Sequence, residues 1–247
     1  MTAMSEPLWG ALNVQPTRNS HAQVVDAIGA DIIRGQPPQG SALPRDEELA
    51  GRFGVSRTVL REAIKTLTAK GLLVARSRVG TKVRPRDDWN MFDADVLRWH
   101  MEGGTGRAFY ADLSEMRLAI EPYAAGLAAE RASSEAIAAM RQSVQRMLDA
   151  EERRSFAAAD IELHRQITKA SGNVFMHSVS ALIEAALLSS FWISSPAESP
   201  VIQSEVSEDH GRIVEAIAAR DVPAAEAAMR HVIVVGRDRI FRSILVP

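Results

Sequence analysis

"RDEELAGRFGVSRTVLREAIKTLTAKG", residues 45–71, reads as two helices and the turn between them. Asp46 and Glu47 suit the positive N-terminal end of a first helix. That helix stops at Gly54, a residue that turns tightly without steric cost, and Ser56 caps the next one. Within the second helix Leu60, Ile64 and Leu67 recur at helical spacing and point inward. Arg57, Arg61 and Lys65 follow one another at i, i+4 and i+8 on the outer face, and Gly71 closes the helix. Two short helices about a glycine turn, with cations on the second, form a helix-turn-helix. Its second helix enters the DNA major groove by its N-terminal end, where arginines bind guanine edges in bidentate fashion or grip phosphates.

The flanks extend the motif. "SHAQVVDAIGADIIRG" (20–35) predicts a preceding helix with Val24, Val25, Ile28, Ile32 and Ile33 on one face, and "QPPQGSALP" a loop. After Gly71, "LLVARSRVGTKVRP" (72–85) predicts two short strands around a turn near Gly80, studded with Arg76, Arg78, Lys82 and Arg84. A basic hairpin directly after a recognition helix is the wing of a winged helix. The plainer alternative is a structural three-helix module with a surface hairpin.

Charge follows the same division. The chain of 247 residues has a net charge of −2, but residues 20–86 carry twelve Lys/Arg against six Asp/Glu, and residues 87–247 sixteen against twenty-four. Between Arg52 and Arg86 there are ten cations and one acid, Glu62, the footprint of a polyanion partner for that segment alone. With no cysteine, disulfide frameworks, thiolate zinc and cysteine-held iron–sulfur sites are excluded, and a reducing cytoplasm is expected. Residues 1–19 lack the basic start and apolar core of a secretory signal and are expected to be a tail. No apolar run is long enough for a membrane span, so no membrane partner is expected.

"RPRDDWNMFDADVLRWHMEGG" (84–104) supplies a linker, placed at 87–106, with a short helix and with Trp89, Phe92, Val96, Leu97 and Trp99 available for docking. Residues 107–247 read as six or seven helices without a strand, an antiparallel bundle. Pro122 is expected to bend or break the first of these helices, and "VFMHSVSALIEAALLSSFWI" (174–193) reads as one central apolar helix containing His177 and Trp192. The fold class is therefore mostly α: a winged helix-turn-helix followed by an all-helical bundle.

Asp160 and His164 in "DIELH" share one helix face. His210 lies near the start of a later helix, and His231 in the last one. An antiparallel helix pair can bring those two imidazoles to one depth. Three imidazoles and a carboxylate suit zinc, nickel or another divalent ion. A polar pair on a solvated surface is the alternative for Asp160 and His164.

"GSALPRDEELAGRFGVSRTVLREAIKTLTAKGLLVARSRVGTKV" (40–83) resembles the DNA-binding domain of the GntR superfamily of bacterial transcription regulators. The resemblance implies that Ser56, Arg57, Thr58 and Arg61 read bases and phosphates. Arg45, Lys65, Arg78 and Lys82 complete the expected DNA-binding set. Some members carry an arginine where this chain has Glu47, so that contact is not carried over. The stretches 115–133, 160–173 and 208–232 resemble the FCD effector domain of the FadR subfamily. This implies a regulatory divalent metal (zinc foremost, nickel or manganese as alternatives) on Asp160, His164, His210 and His231. It also implies that Arg117 pairs with an effector carboxylate; an intrahelical pair with Glu121 is the other reading. The expected protein is a homodimeric, non-enzymatic repressor of a catabolic operon that binds double-stranded operator DNA and a small organic acid. Its rivals are a metal-dependent hydrolase fused to a DNA-binding module and an architectural DNA binder.

Overall fold

A computed structural model describes residues 20–76, 80–103 and 107–244. The chain divides into two compact units, residues 1–104 and 105–247.

In the first unit, α1 (Ser20–Ile33), α2 (Asp46–Phe53) and α3 (Arg57–Ala69) precede a hairpin of β1 (Leu73–Arg76) and β2 (Gly80–Val83). The strands pair antiparallel, Leu73 opposite Val83 and Arg76 opposite Gly80. A bridge from Ala42 to Lys82 adds the loop before α2 as a third edge, with Leu43 N–H donating to the Thr81 carbonyl at 2.8 Å. Gly54 turns between α2 and α3 at φ 64°, and the Ser56 hydroxyl accepts from Val59 N–H, capping α3. Leu60, Ala63 and Leu67 form the buried face of α3, while Ile64 is half-buried. The core position next to Ile64 therefore belongs to the smaller Ala63, and α3 packs against α1.

The expected linker helix is α4 (Ala94–Glu102), and it is part of this unit's core: Val96 and Trp99 join Val24, Ile28 and Leu67 in one apolar cluster. Gly29 makes room for it, since a Cβ there would lie 2.4 Å from the Trp99 ring. Polar contacts fix the same docking. Arg98 pairs with Asp26, Trp99 Nε1–H donates to Asp26 at 3.2 Å, and Lys70 Nζ lies 2.8 Å from both Asp93 and Asp95. Phe92, by contrast, is exposed.

The second unit contains α5 (Arg107–Arg131), α6 (Ser134–Leu148), α7 (Arg153–Ala170), α8 (Val174–Ser178), α9 (Ser180–Ile193), α10 (Pro200–Ala218) and α11 (Val222–Ile244). α5 packs along α11, α6 against α7 and α10, and α10 against α11. Pro122 neither breaks nor ends α5, which is one helix with the proline inside it. The turn beyond Pro122 is closely packed: a Cβ on Gly126 would meet the Glu226 side chain at 2.7 Å and Val222 Cγ1 at 3.2 Å, so side chains of α11 lie over the glycine of α5. The apolar run 174–193 is two helices, not one. The Ser178 hydroxyl donates to the Val174 carbonyl at 2.8 Å, a side-chain bond that competes with the helical ladder at that point. The Trp192 side chain lies outside the described atoms. None of the described helices is long and apolar enough to cross a membrane.

Candidate DNA-binding surface and metal–effector site

Ser56, Arg57, Thr58, Arg61 and Lys65 all lie at or on the exposed side of α3, and Arg45 is exposed immediately before α2. Lys82 is half-buried on β2; Arg78 lies outside the described residues. Three of these cations are paired with carboxylates. Arg57 Nη2 is 2.6 Å from Glu47 Oε1, Arg61 Nε is 3.8 Å from Asp46 Oδ2, and Lys65 Nζ is 2.8 Å from Glu62 Oε1. Pairs this exposed are screened by water and contribute little, so phosphates can displace the carboxylates at little cost.

The second site is buried. α7 places Asp160 and His164 one turn apart, and α10 brings in His210; the three are 1–3% exposed. Their ligand atoms lie within 4.8 Å of one another. The hydrogen bonds behind the rings settle which nitrogens face inward. His210 Nδ1 lies 2.6 Å from the Val206 carbonyl, which only accepts, so Nδ1 carries the proton. His164 Nδ1 lies 2.5 Å from Glu121 Oε2 and donates to that carboxylate. Imidazoles so held turn their Nε2 atoms towards Asp160. Asp160 Oδ1 sits 2.8 Å from His210 Nε2 and 3.7 Å from His164 Nε2. Unless an Nε2 carries a proton, three acceptors face one another, with no other hydrogen-bond partner for these atoms among the described residues. Such a cluster calls for a cation among them, a proton on an imidazole or a metal ion. Bonds of about 2.0–2.2 Å to one ion would set donors roughly 3–3.5 Å apart, a span the observed separations bracket. The residues fit a divalent metal.

Both carboxyls are ionised. Burial alone would raise the Asp160 carboxyl, but the His210 and His164 imidazoles hold it below its ordinary value. Burial opposes ionisation of Glu121 too, yet Arg117 and His164 bring it to about 2. Arg117 is committed to Glu121, through Nε and through Nη2 at 3.3 Å; the intrahelical pair is therefore present, and Arg117 also borders the cavity.

A cavity of about 30 Å³ opens beside these atoms, bordered by Arg117, Asp160, Asp209, His210, Val232 and Arg239 among others. A space of that size admits a water-sized group, so a larger ligand requires its walls to move. Arg239 was not evident from the sequence. Its Nε is buried without a hydrogen-bond partner among the described residues. Burial lowers the guanidinium from its usual value, against the attraction of Asp160. Its signal in the sequence is periodicity: Val232, Val235, Gly236 and Arg239, at i, i+3, i+4 and i+7, form the cavity-facing stripe of α11.

His231 is off that stripe. Its side chain is 54% exposed and its Nε2 lies 3.3 Å from Asp209 Oδ2; it is not brought together with Asp160, His164 and His210.

A winged helix-turn-helix with a cationic recognition helix, joined in one chain to a helical bundle with a buried, charged ligand site, defines a ligand-responsive DNA-binding transcription regulator. The chain belongs to the gntR family of bacterial regulatory proteins, matched over residues 20–83, and carries an FCD domain over residues 112–234. It is 32% identical to the galactonate operon transcriptional repressor of Escherichia coli (strain K12), over 86% of this chain and 93% of that protein. It is 32% identical to a probable D-xylose utilization operon transcriptional repressor of Paenarthrobacter nicotinovorans, over 85% and 84%. It is 31% identical to a putative L-lactate dehydrogenase operon regulatory protein of Escherichia coli (strain K12), over 87% and 84%. Among solved structures, Lar of Listeria monocytogenes shares the fold, with a TM-score of 0.64 and 18% identity over 92% of this chain and 99% of that one.

Proposed function

We propose that the protein is a non-enzymatic repressor of a catabolic operon. In this reading it binds operator DNA as a homodimer in the cytoplasm and answers to a small hydroxy or sugar acid held beside a divalent metal, zinc foremost. The observation that carries the proposal is the convergence of three unsatisfied ligand atoms, on Asp160, His164 and His210, beside two arginines. The relatives named for galactonate and lactate dehydrogenase operons direct attention to acids with a neighbouring hydroxyl.

Asp160, His164 and His210 would hold the metal, and a bound ion would supply a Lewis-acid anchor for carboxylate and hydroxyl oxygens. Glu121 fixes the His164 tautomer from behind, as the Val206 carbonyl does for His210. Arg239 keeps unspent donors for an anion, and Arg117 balances the Glu121 charge. On the DNA side, Arg57, Arg61 and Lys65 exchange their carboxylate partners for phosphates or guanine edges, and Arg45, Ser56, Thr58, Arg78 and Lys82 make further DNA contacts. Because the acid requires cavity walls to move, it favours one arrangement of the helical domain. Differential affinity for that arrangement couples acid to operator affinity.

The test is DNA binding by the purified full chain with its own promoter fragment, with and without the acids D-galactonate and L-lactate, and with D-xylose as an uncharged comparison. Release of the fragment by one acid, and only from metal-loaded protein, is the expected result. An unchanged complex across the acids, or equal release after chelation, contradicts the reading.

A further inference from the structure

The reading above rests on a metal site; the structure further specifies how that site is built. We propose that it has three protein ligands, Asp160, His164 and His210, that His231 takes no part, and that the isopropyl group of Val232, in place of a fourth imidazole, borders its remaining side.

Helix phase carries the inference. Val232 is 9% exposed and borders the cavity together with Asp160 and His210. His231 precedes it by one residue, and one residue turns a side chain by about 100° around a helix axis. His231 accordingly points out of the bundle, where its Nε2 meets Asp209. Rotating α11 to bring His231 inward would carry Val232 and Ile233, both buried, out of the core, together with the stripe that ends in Arg239. The opposing surface would also have to shift, because the Glu226 and Val222 side chains of α11 fill the space over Gly126 of α5. The phase of α11 is thus locked by packing on its other sides.

Three protein ligands leave at least one coordination position for a small molecule. An acid that chelates through a carboxylate and an adjacent hydroxyl oxygen fills what Val232 does not. The metal is then held less tightly than by four side chains, and the acid is part of what retains it.

Zinc affinity measured by chelator competition on the full-length protein tests this, with His231→Ala, His210→Ala and Val232→His beside wild type. The expected result is an H231A affinity within about twofold of wild type, an H210A loss of about a hundredfold or more, and a V232H gain of about tenfold. Cobalt(II) loading adds a spectroscopic reading: H231A should give the wild-type d–d spectrum, and V232H a changed one. A loss in H231A comparable to that in H210A overturns the proposal, as does a folded V232H with unchanged affinity and spectrum. If V232H does not fold, the contrast between H231A and H210A decides, because His231 is exposed. Wild-type protein with no measurable zinc affinity would instead overturn the metal reading itself.

Discussion

His164 and Glu121 form an imidazole–carboxylate pair sealed from solvent, Nδ1 lying 2.5 Å from Oε2 with each side chain 1% exposed. One carboxylate therefore serves two purposes: it holds the His164 lone pair on the metal side, and it neutralises the buried Arg117. Glu121→Gln keeps the shape but loses the charge. Zinc affinity should fall about 10- to 100-fold, as for other groups that orient a ligand from behind. Glu121→Ala should in addition cost about 3–5 kcal/mol of stability, because Arg117 is left buried and unpaired. Chelator competition and urea denaturation measure the two effects.

Arg239 presents the opposite case, a half-buried arginine whose buried Nε has no hydrogen-bond partner among the described residues. An unsatisfied buried donor reduces stability, so Arg239→Gln should leave the melting temperature of acid-free protein unchanged or raised. Calorimetric titration with D-galactonate should show acid affinity reduced about tenfold or more, with zinc affinity retained. Acid binding that survives R239Q would contradict the role given to Arg239.

Glu47 sits on α2 with its Oε1 2.6 Å from Arg57 Nη2, so it competes with DNA for the recognition helix. Glu47→Gln should raise duplex affinity about two- to fivefold, the ceiling set by an exposed pair of under about 1 kcal/mol. Fluorescence anisotropy at two salt concentrations checks this and should show a steeper salt dependence, by about 0.9 for one added phosphate contact.

Gly29 lies where α1 crosses Trp99, and a Cβ there would stand 2.4 Å from the indole. Gly29→Ala should destabilise the N-terminal unit by about 1–3 kcal/mol, the usual range for overpacking a core. The loss should show in the tryptophan-monitored denaturation curve. Equal stability would mean that α4 does not dock as described.

These sites were unequally legible in the sequence, for physical reasons. Leu60, Leu67, Gly54 and Ser56 act through neighbours within a turn or two, so spacing and turn chemistry exposed the helix-turn-helix. Asp160 and His164 are likewise local, one helical turn apart. The Ala42–Lys82 bridge is not local, and neither is the membership of α4 in the first core, which depends on Gly29 accepting Trp99. His231 shows the limit most clearly. Sequence spacing brought it to the right depth, but the phase of α11 comes from tertiary packing, and that packing turns Val232 inward. Arg239 was hidden because its role depends on the missing partner, which a sequence does not display.

The central claim is that a carboxylate and a metal are bound together at Asp160, His164 and His210 in a DNA-binding regulator. Thermal melting of the full chain with D-galactonate, with galactitol as its uncharged counterpart, and each with and without chelator, tests it most directly. Melting temperature should rise with D-galactonate alone, and chelator or His210→Ala should abolish the rise. A rise that persists in chelator, or an equal rise with galactitol, would contradict it.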